Sequence, residues 1–244
     1  MKLLFLGNSF SDDTIQYVYE IAKSLKIKKM EVYCLYIGGC TLQMHYDNLL
    51  ENKKAYEFRY YENNCWNTKY NVSIQDVLAS YKFDYINLQQ SSPNTGKIET
   101  YDVLKDLIKQ LKKYHKGQFS FLLTWPYETN ADHPNFIDYD NNRDYMYKQI
   151  TNTVKKVIVG NNDIVKIIPS GTAIYLTKDT SIKAYRDGYH LSFDYGRYIS
   201  SLCFIDTFYE INWKKVYRLE NISIKEFNEI KRIVTKSIKA QFVD

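Results

Sequence analysis

The chain opens on an unbroken apolar run, Leu3-Leu4-Phe5-Leu6, that stops at Gly7-Asn8-Ser9. A short apolar run bounded by turn residues reads as a buried strand, here 2–6. Ile15, Val18, Ala22 and Leu25 recur at helical spacing and predict a helix over 12–26. Ser11 is its expected N-cap, with Asp12 and Asp13 placed to favour the helix dipole. A second strand over 31–37 (EVYCLYI) runs into Gly38-Gly39, and 41–54 has a helical pattern. The aromatic and polar stretch 56–72, with Asn63-Asn64 at its middle, reads as a hairpin-like excursion. A short helix near 73–80 leads into a third strand, 83–88. The helix predicted over 99–114 carries Leu104, Leu107, Ile108 and Leu111 on one face. A fourth strand (118–124), a long loop (125–139), a helix (140–159), a fifth strand (163–168) and a short helical piece (170–177) follow. Two helices close the chain, 194–210 and 224–240, the second opened by Ser223 and Glu226 at capping-box spacing.

Strands that alternate with helices predict an α/β fold. We expect a three-layer α/β/α sandwich around a central, mostly parallel, five-stranded sheet, with residues 1–244 forming one domain. In such sheets ligands bind outside the carboxyl ends of the strands, so the residues that follow each strand are the candidates for chemistry.

Composition narrows the function classes. The formal charge is +5, and the basic residues come as scattered pairs such as Lys28-Lys29, Lys112-Lys113, Lys155-Lys156 and Lys214-Lys215. These read as solvated helix faces; a nucleic-acid footprint would cluster. Cys34, Cys40, Cys65 and Cys203 show no CxxC pairing, which argues against a metal site or a disulfide framework. Cys34 and Cys203 fall in apolar segments and are expected to be buried thiols. The apolar run before Gly7 is too short for a signal segment, and no membrane-length apolar stretch occurs. The expectation is a cytoplasmic protein without nucleic-acid or membrane partners. The 24 tyrosines fit either an AT-rich coding bias or a surface that stacks on sugars.

The strand ends hold a recognisable set of groups. Ser9 follows the first strand, Gly39 the second, Gln89-Gln90 the third, and Trp125-Pro126-Tyr127 the fourth. Asp187-Gly188-Tyr189-His190 precedes the helix at 194–210. A nucleophilic serine needs a base, and the base needs an orienting acid; Ser9, His190 and Asp187 supply these types. The Asp-x-x-His spacing lets one turn carry both side chains. The backbone N–H groups of Ser9 and Gly39 and the amide of Gln90 or Gln89 are the candidate oxyanion donors.

These blocks resemble the SGNH hydrolases, the GDSL-type esterases and lipases. Gly7-Asn8-Ser9-Phe10 is similar to their nucleophile block, Gly38-Gly39 to their oxyanion glycine, and Asp187-Gly188-Tyr189-His190 to their last block. The match runs in order along nearly the whole chain. One block departs: where the superfamily has Gly-x-Asn-Asp, this chain reads Leu88-Gln89-Gln90-Ser91. The resemblance implies a flavodoxin-like fold, a Ser-His-Asp triad and no cofactor or metal. It also implies hydrolysis of a small acyl ester, expected to be acetyl on a carbohydrate.

Other residues have competing readings. Ser11 rivals Ser9 as nucleophile but matches no block. Asp12 and Asp13 suggest either a metal or N-terminal helix acids, and the latter is preferred. Cys40 has no base evident in the sequence. His115 is expected to be solvated at a helix end, and His45 to lie on a helix surface or in packing. Trp125, Tyr127 and His133, at the mouth of the fourth strand, can be core or can contact substrate. An acyltransferase with the same triad and a non-catalytic glycan-binding domain are the alternatives.

Overall fold

Leu3, Leu4, Phe5 and Leu6 are fully buried at the centre of a seven-stranded sheet. The computed structural model describes residues 1–243. Strand β1 (Lys2–Gly7) pairs in parallel with β2 (Glu31–Tyr36) on one side and β5 (Tyr85–Leu88) on the other. Strands β6 (Gln118–Leu122) and β7 (Ile164–Ile168) continue the parallel ladder. Strands β3 (Tyr56–Glu62) and β4 (Cys65–Val72) form a hairpin that adds antiparallel to the outer edge of β2. The sheet order is β4-β3-β2-β1-β5-β6-β7.

The expected five strands are the parallel part of this sheet; the excursion at 56–72 supplies the other two. Its tip turns on Asn63 and Asn64, both at positive φ (54° and 62°), the geometry a two-residue hairpin turn requires. Its lateral hydrogen bonding to β2 was not visible in the sequence, because only Tyr56, Phe58 and Val72 of the hairpin strands are buried, too few to mark a sheet face.

The helices lie in two groups. α1 (Ser9–Ile15), α2 (Val18–Ser24), α7 (Ser170–Tyr175), α8 (Tyr195–Phe208) and α9 (Ile224–Ala240) pack on one another. α3 (Leu42–Leu50) packs against α4 (Ile74–Ser80) and α5 (Leu104–Leu111), and α6 (Arg143–Val157) against neighbouring 3-10 turns. No helix among the described residues is long and apolar enough to cross a membrane.

Two predicted helices are shorter or broken. The one expected over 12–26 starts earlier, at Ser9, and splits into α1 and α2. Its N-cap is Asn8, whose side chain accepts from the Phe10 N–H. Ser11 lies inside α1 instead. The split has a local cause: the Tyr17 N–H donates to Ser201 Oγ (3.1 Å), and that hydroxyl donates to the Thr14 carbonyl (2.8 Å). A side chain of α8 thus inserts into the helical ladder and breaks it. The segment expected as a helix over 99–114 divides into a 3-10 turn, Ile98–Tyr101, and α5.

β1 and β5 are adjacent, yet the chain goes from β1 to β2 on one side before returning to β5 on the other. The reversal makes a crevice at their carboxyl ends, where the segments after β1 and β5 diverge. Helix α8, buried from Gly196 to Ile205, packs against α1, the helix that follows β1. Gly196 packs so closely that a Cβ there would overlap the Ala184 carbonyl oxygen and press on Leu191. Gly196→Ala is expected to destabilise the protein by about 1–3 kcal/mol through overpacking. A urea titration against the wild type checks this; equal midpoints would contradict it.

Candidate active site

Ser9 is the first residue of α1, directly after β1, so its N–H has no acceptor within the helix. Asn8 fixes this junction from both sides of the sheet. Its Oδ1 accepts from Phe10 N–H (3.0 Å) and from Gln89 Nε2 (2.7 Å), and its Nδ2 donates to the Cys40 carbonyl (3.1 Å). One buried amide therefore joins the ends of β1, β2 and β5. Ser11, the rival nucleophile, is fully buried and donates to Gln89 Oε1.

The structure brings Ser9, His190 and Asp187 together. His190 Nε2 lies 3.0 Å from Ser9 Oγ, and His190 Nδ1 lies 2.7 Å from Asp187 Oδ2. Asp187 Oδ1 also accepts from the N–H groups of His190 (2.7 Å) and Tyr189 (3.2 Å). Partial burial works against the carboxylate, but these N–H groups and the imidazole outweigh it and hold Asp187 below the usual range. Gly188 (φ 87°) turns the chain between the two side chains, and a Cβ there would press on Ala131 at 2.8 Å. The turn is pinned to the 125–139 loop by Glu128 N–H donating to the Gly188 carbonyl at 2.7 Å.

Gly39 sits at φ 65° in the turn Ile37–Cys40, closed by Cys40 N–H to the Ile37 carbonyl (3.2 Å). Nothing approaches the position of an added Cβ, so the glycine is required for its backbone conformation and faces open space. The side chains of the two candidate glutamines are held by other partners. Gln90 Nε2 donates to the carbonyl (3.0 Å) and the hydroxyl (3.1 Å) of Thr100, and its Oε1 accepts from Leu42 and Ser91 N–H. Both Gln90 N–H groups are thereby committed, and none is left for an oxyanion. Gln89 has one N–H on Asn8 and its oxygen on Ser11.

The aromatic residues after β6 also depart from a substrate-stacking role. Trp125 and Tyr127 are both 0 % exposed. Trp125 stacks on Phe10 (centroids 4.2 Å apart, 8° between planes) and donates from Nε1 to the Tyr189 carbonyl (2.8 Å). It thus braces the neighbour of Ser9 against the neighbour of His190. His133 is half-buried beside Tyr127 and packs edge-on against Tyr189, which in turn packs against His190.

Two residues that sequence reasoning passed over, Arg186 and Arg197, complete the frame with Asp13. Asp13, taken there as a helix-terminal acid, is buried and accepts from Leu191 N–H (2.8 Å), Arg186 Nη1 (3.1 Å) and Arg197 Nη2 (2.8 Å). Burial raises its carboxyl above the usual range, opposed by Arg197, the Leu191 N–H and Arg186. Asp12 instead pairs with Arg59, whose guanidinium stacks on the Tyr36 ring 3.7 Å from its centroid. Helical spacing places both acids correctly, but their partners lie far along the chain and left no local signal.

Cys40 and His45 form a buried pair below the Gly39 turn. Cys40 Sγ lies 3.5 Å from His45 Nδ1, which also meets Tyr56 Oη at 2.9 Å; His45 Nε2 has no partner. Burial raises the Cys40 thiol to about 12 and lowers His45 to about 3, so this pair is neutral and carries no thiolate. His45 is thus a packing residue, one of the two roles expected. His115, expected to be solvated, is buried at 4 % exposure beside Phe119, because the chain folds back from α5 into β6 there. Among the described residues, no group of three or more His, Cys, Asp or Glu side chains is placed to hold a metal ion.

The mostly parallel sheet flanked by helices is an α/β fold shared with solved structures that include a putative SGNH hydrolase from Slackia heliotrinireducens. The chain belongs to the family described as Domain of unknown function (DUF4886), whose model matches residues 2–236. It is similar to the crystal structure of a DUF4886 family protein from Bacteroides uniformis, with 32% identity and a TM-score of 0.91 over 99% of this chain and 95% of that one. Two more distant structures share the fold. One is a catalytic mutant of Axe2, an acetylxylan esterase from Geobacillus stearothermophilus (17% identity, TM-score 0.55, 86% and 94% covered). The other is a member of the lipolytic protein G-D-S-L family from Veillonella parvula (11% identity, TM-score 0.55, 86% and 100% covered). No curated protein sequence matches the chain.

Asp13→Asn keeps the shape of the clamp and removes its charge, leaving Arg197 and Arg186 without their carboxylate. The expected loss is about 3–5 kcal/mol of stability, as for other broken buried pairs, read from urea midpoints. A change below about 1 kcal/mol would contradict the role given to Asp13. His45 makes a separate prediction. Its ordinary value is 6.5 and its folded value about 3, so the unfolded chain binds the extra proton between them. That contribution is complete above pH 6.5 and is lost progressively as pH falls toward 3. His45→Gln is expected to lose less stability than the wild type on going from about pH 7 to about pH 4.5. Parallel slopes would contradict this.

Proposed function

We propose that the protein is a serine esterase acting on a small acyl group, acetyl foremost, carried by a carbohydrate. The observation that carries this reading is the unbroken line from Ser9 Oγ through the His190 ring to Asp187, at 3.0 and 2.7 Å. A serine hydroxyl in hydrogen-bond contact with an imidazole, itself oriented by a carboxylate, is poised for nucleophilic attack.

In this reading Ser9 Oγ attacks the ester carbonyl while His190 Nε2 takes its proton. A new Oγ–C bond forms and the carbonyl electron pair moves to oxygen. The N–H groups of Ser9 and Gly39 receive that oxyanion; Gln90 is excluded by its bonds to Thr100, and Gln89, fully buried, braces Asn8 and Ser11 behind it. The C–O bond to the alcohol then breaks, and His190 returns the proton to the leaving oxygen. Asp187 fixes the imidazole with its N–H on Nδ1 and stabilises the imidazolium. Water, deprotonated by His190, releases the acyl group in a second pass through the same steps. No step calls for a metal or an organic cofactor.

The carbohydrate part is supported by the acetylxylan esterase among the structures of similar fold and by the polar character of segment 128–142. The same acyl-serine serves an acyltransferase if an acceptor alcohol replaces water. A glycan-binding domain finds less support, since Trp125 and Tyr127 have no exposed ring face to stack on a sugar.

The test is hydrolysis of p-nitrophenyl acetate, butyrate and octanoate by wild type, Ser9→Ala and His190→Ala. The expected outcome is a preference for acetate and a loss of about 10³-fold or more in kcat in either variant. Undiminished turnover in Ser9→Ala, or none in the wild type, would overturn the esterase reading.

A further inference from the structure

Resting on that esterase reading, we propose that Ser92 recognises a hydroxyl of the alcohol half of the ester, and that Tyr127 and His133 are positioning residues that aim it. Ser92 begins the 3-10 turn Ser92–Asn94 just beyond β5, the strand beside β1. It is partly exposed, whereas its neighbour Ser91 is buried.

The hydrogen bonds behind Ser92 have a definite direction. His133 Nδ1 accepts the backbone N–H of Asn135 (3.2 Å), so the neutral ring carries its proton on Nε2. That N–H faces Tyr127 Oη at 3.3 Å and donates to it. Tyr127 has one hydrogen to give, and its remaining partner is Ser92 Oγ at 2.9 Å. Ser92 therefore accepts from behind, and its own O–H is turned away from Tyr127 toward the open side. Burial, aided by His190, holds His133 below its ordinary value, which keeps the ring in the neutral form this direction requires. A surface serine has a free rotor; this one is oriented by a buried tyrosine and a half-buried histidine.

The relay lies beside the chemistry. The His133 ring meets the Tyr189 ring edge-on at 4.9 Å, and Tyr189 lies 4.4 Å from the His190 ring. His190 must touch the leaving oxygen to protonate it, so the wall from His190 through Tyr189 to His133 borders the alcohol rather than the acyl group. A donor fixed on that wall suits a hydroxyl or ring oxygen next to the esterified carbon, as a monoacetylated sugar provides. An aryl ester provides none.

The experiment compares methyl 2-O-acetyl-β-D-xylopyranoside with p-nitrophenyl acetate, using the full chain as wild type, Ser92→Ala, Ser92→Thr, Tyr127→Phe and the Ser92→Ala/Tyr127→Phe double variant. For Ser92→Ala, the ratio of kcat/KM for the xyloside to that for the aryl ester should fall about five- to tenfold, with the loss in KM. Ser92→Thr, which keeps the hydroxyl, should restore most of it. Tyr127→Phe should move the ratio the same way, and the double variant should be no worse than Ser92→Ala, because Tyr127 acts through Ser92. An unchanged ratio in Ser92→Ala, an equal loss on both esters, or additive effects in the double variant would overturn the inference. So would a wild type that cleaves the aryl ester but not the xyloside. A wild type that cleaves neither would instead bring down the esterase reading on which the inference rests.

Discussion

The carboxylate of Asp13 ties together segments 173 and 178 residues apart in the chain, through Arg186 and the Leu191 N–H. It stands one helical turn after Ser9, and Leu191 directly follows His190. The distance between the candidate nucleophile and its base is thereby set by a buried ion pair between α1 and the turn before α8. Arg197 adds a third bond from α8 itself and also holds Gln16 at the end of α1. A carboxylate this deeply buried is tolerated only with such partners, and once they are present their geometry is stringent.

The same logic recurs around the site with neutral groups. Asn8 connects the carboxyl ends of three parallel strands through one amide, and Gln89 locks the interior of α1 through Ser11. Trp125 lies flat on Phe10 and holds the Tyr189 carbonyl. Each bond braces a segment that carries a candidate site residue. The candidate groups Ser9, Gly39, Asp187 and His190, partly or fully exposed, thus rest on a buried layer behind them. Such a layer provides the preorganisation that electrostatic stabilisation of an oxyanion requires.

Much of this was legible in the chain. Gly7-Asn8-Ser9 and Asp187-x-x-His190 stand out because each is local: one strand–helix junction and one turn hold the candidate groups. The parallel strands were legible because burial on both faces leaves continuous apolar runs. The edge hairpin's place in the sheet was not, since only Tyr56, Phe58 and Val72 of its strands are buried. The split of α1 from α2 was hidden as well, because the cause is a hydroxyl of α8 far along the sequence.

By itself the sequence determined the α/β alternation, the residue types at the strand ends, and the local turns at Gly39 and Gly188. These follow from short-range periodicity and backbone sterics, which act within a few residues. The tertiary structure decided which amides and rings are available to a substrate. Gln90, Trp125 and Tyr127 had side chains suited to the site, but bonds to Thr100, Tyr189 and Ser92 turn them inward. Asp13 passed in sequence for a helix-terminal acid, and only folding brought two arginines to it. Hydrogen-bond and charge partners across such distances are set by packing, and packing is a property of the whole chain.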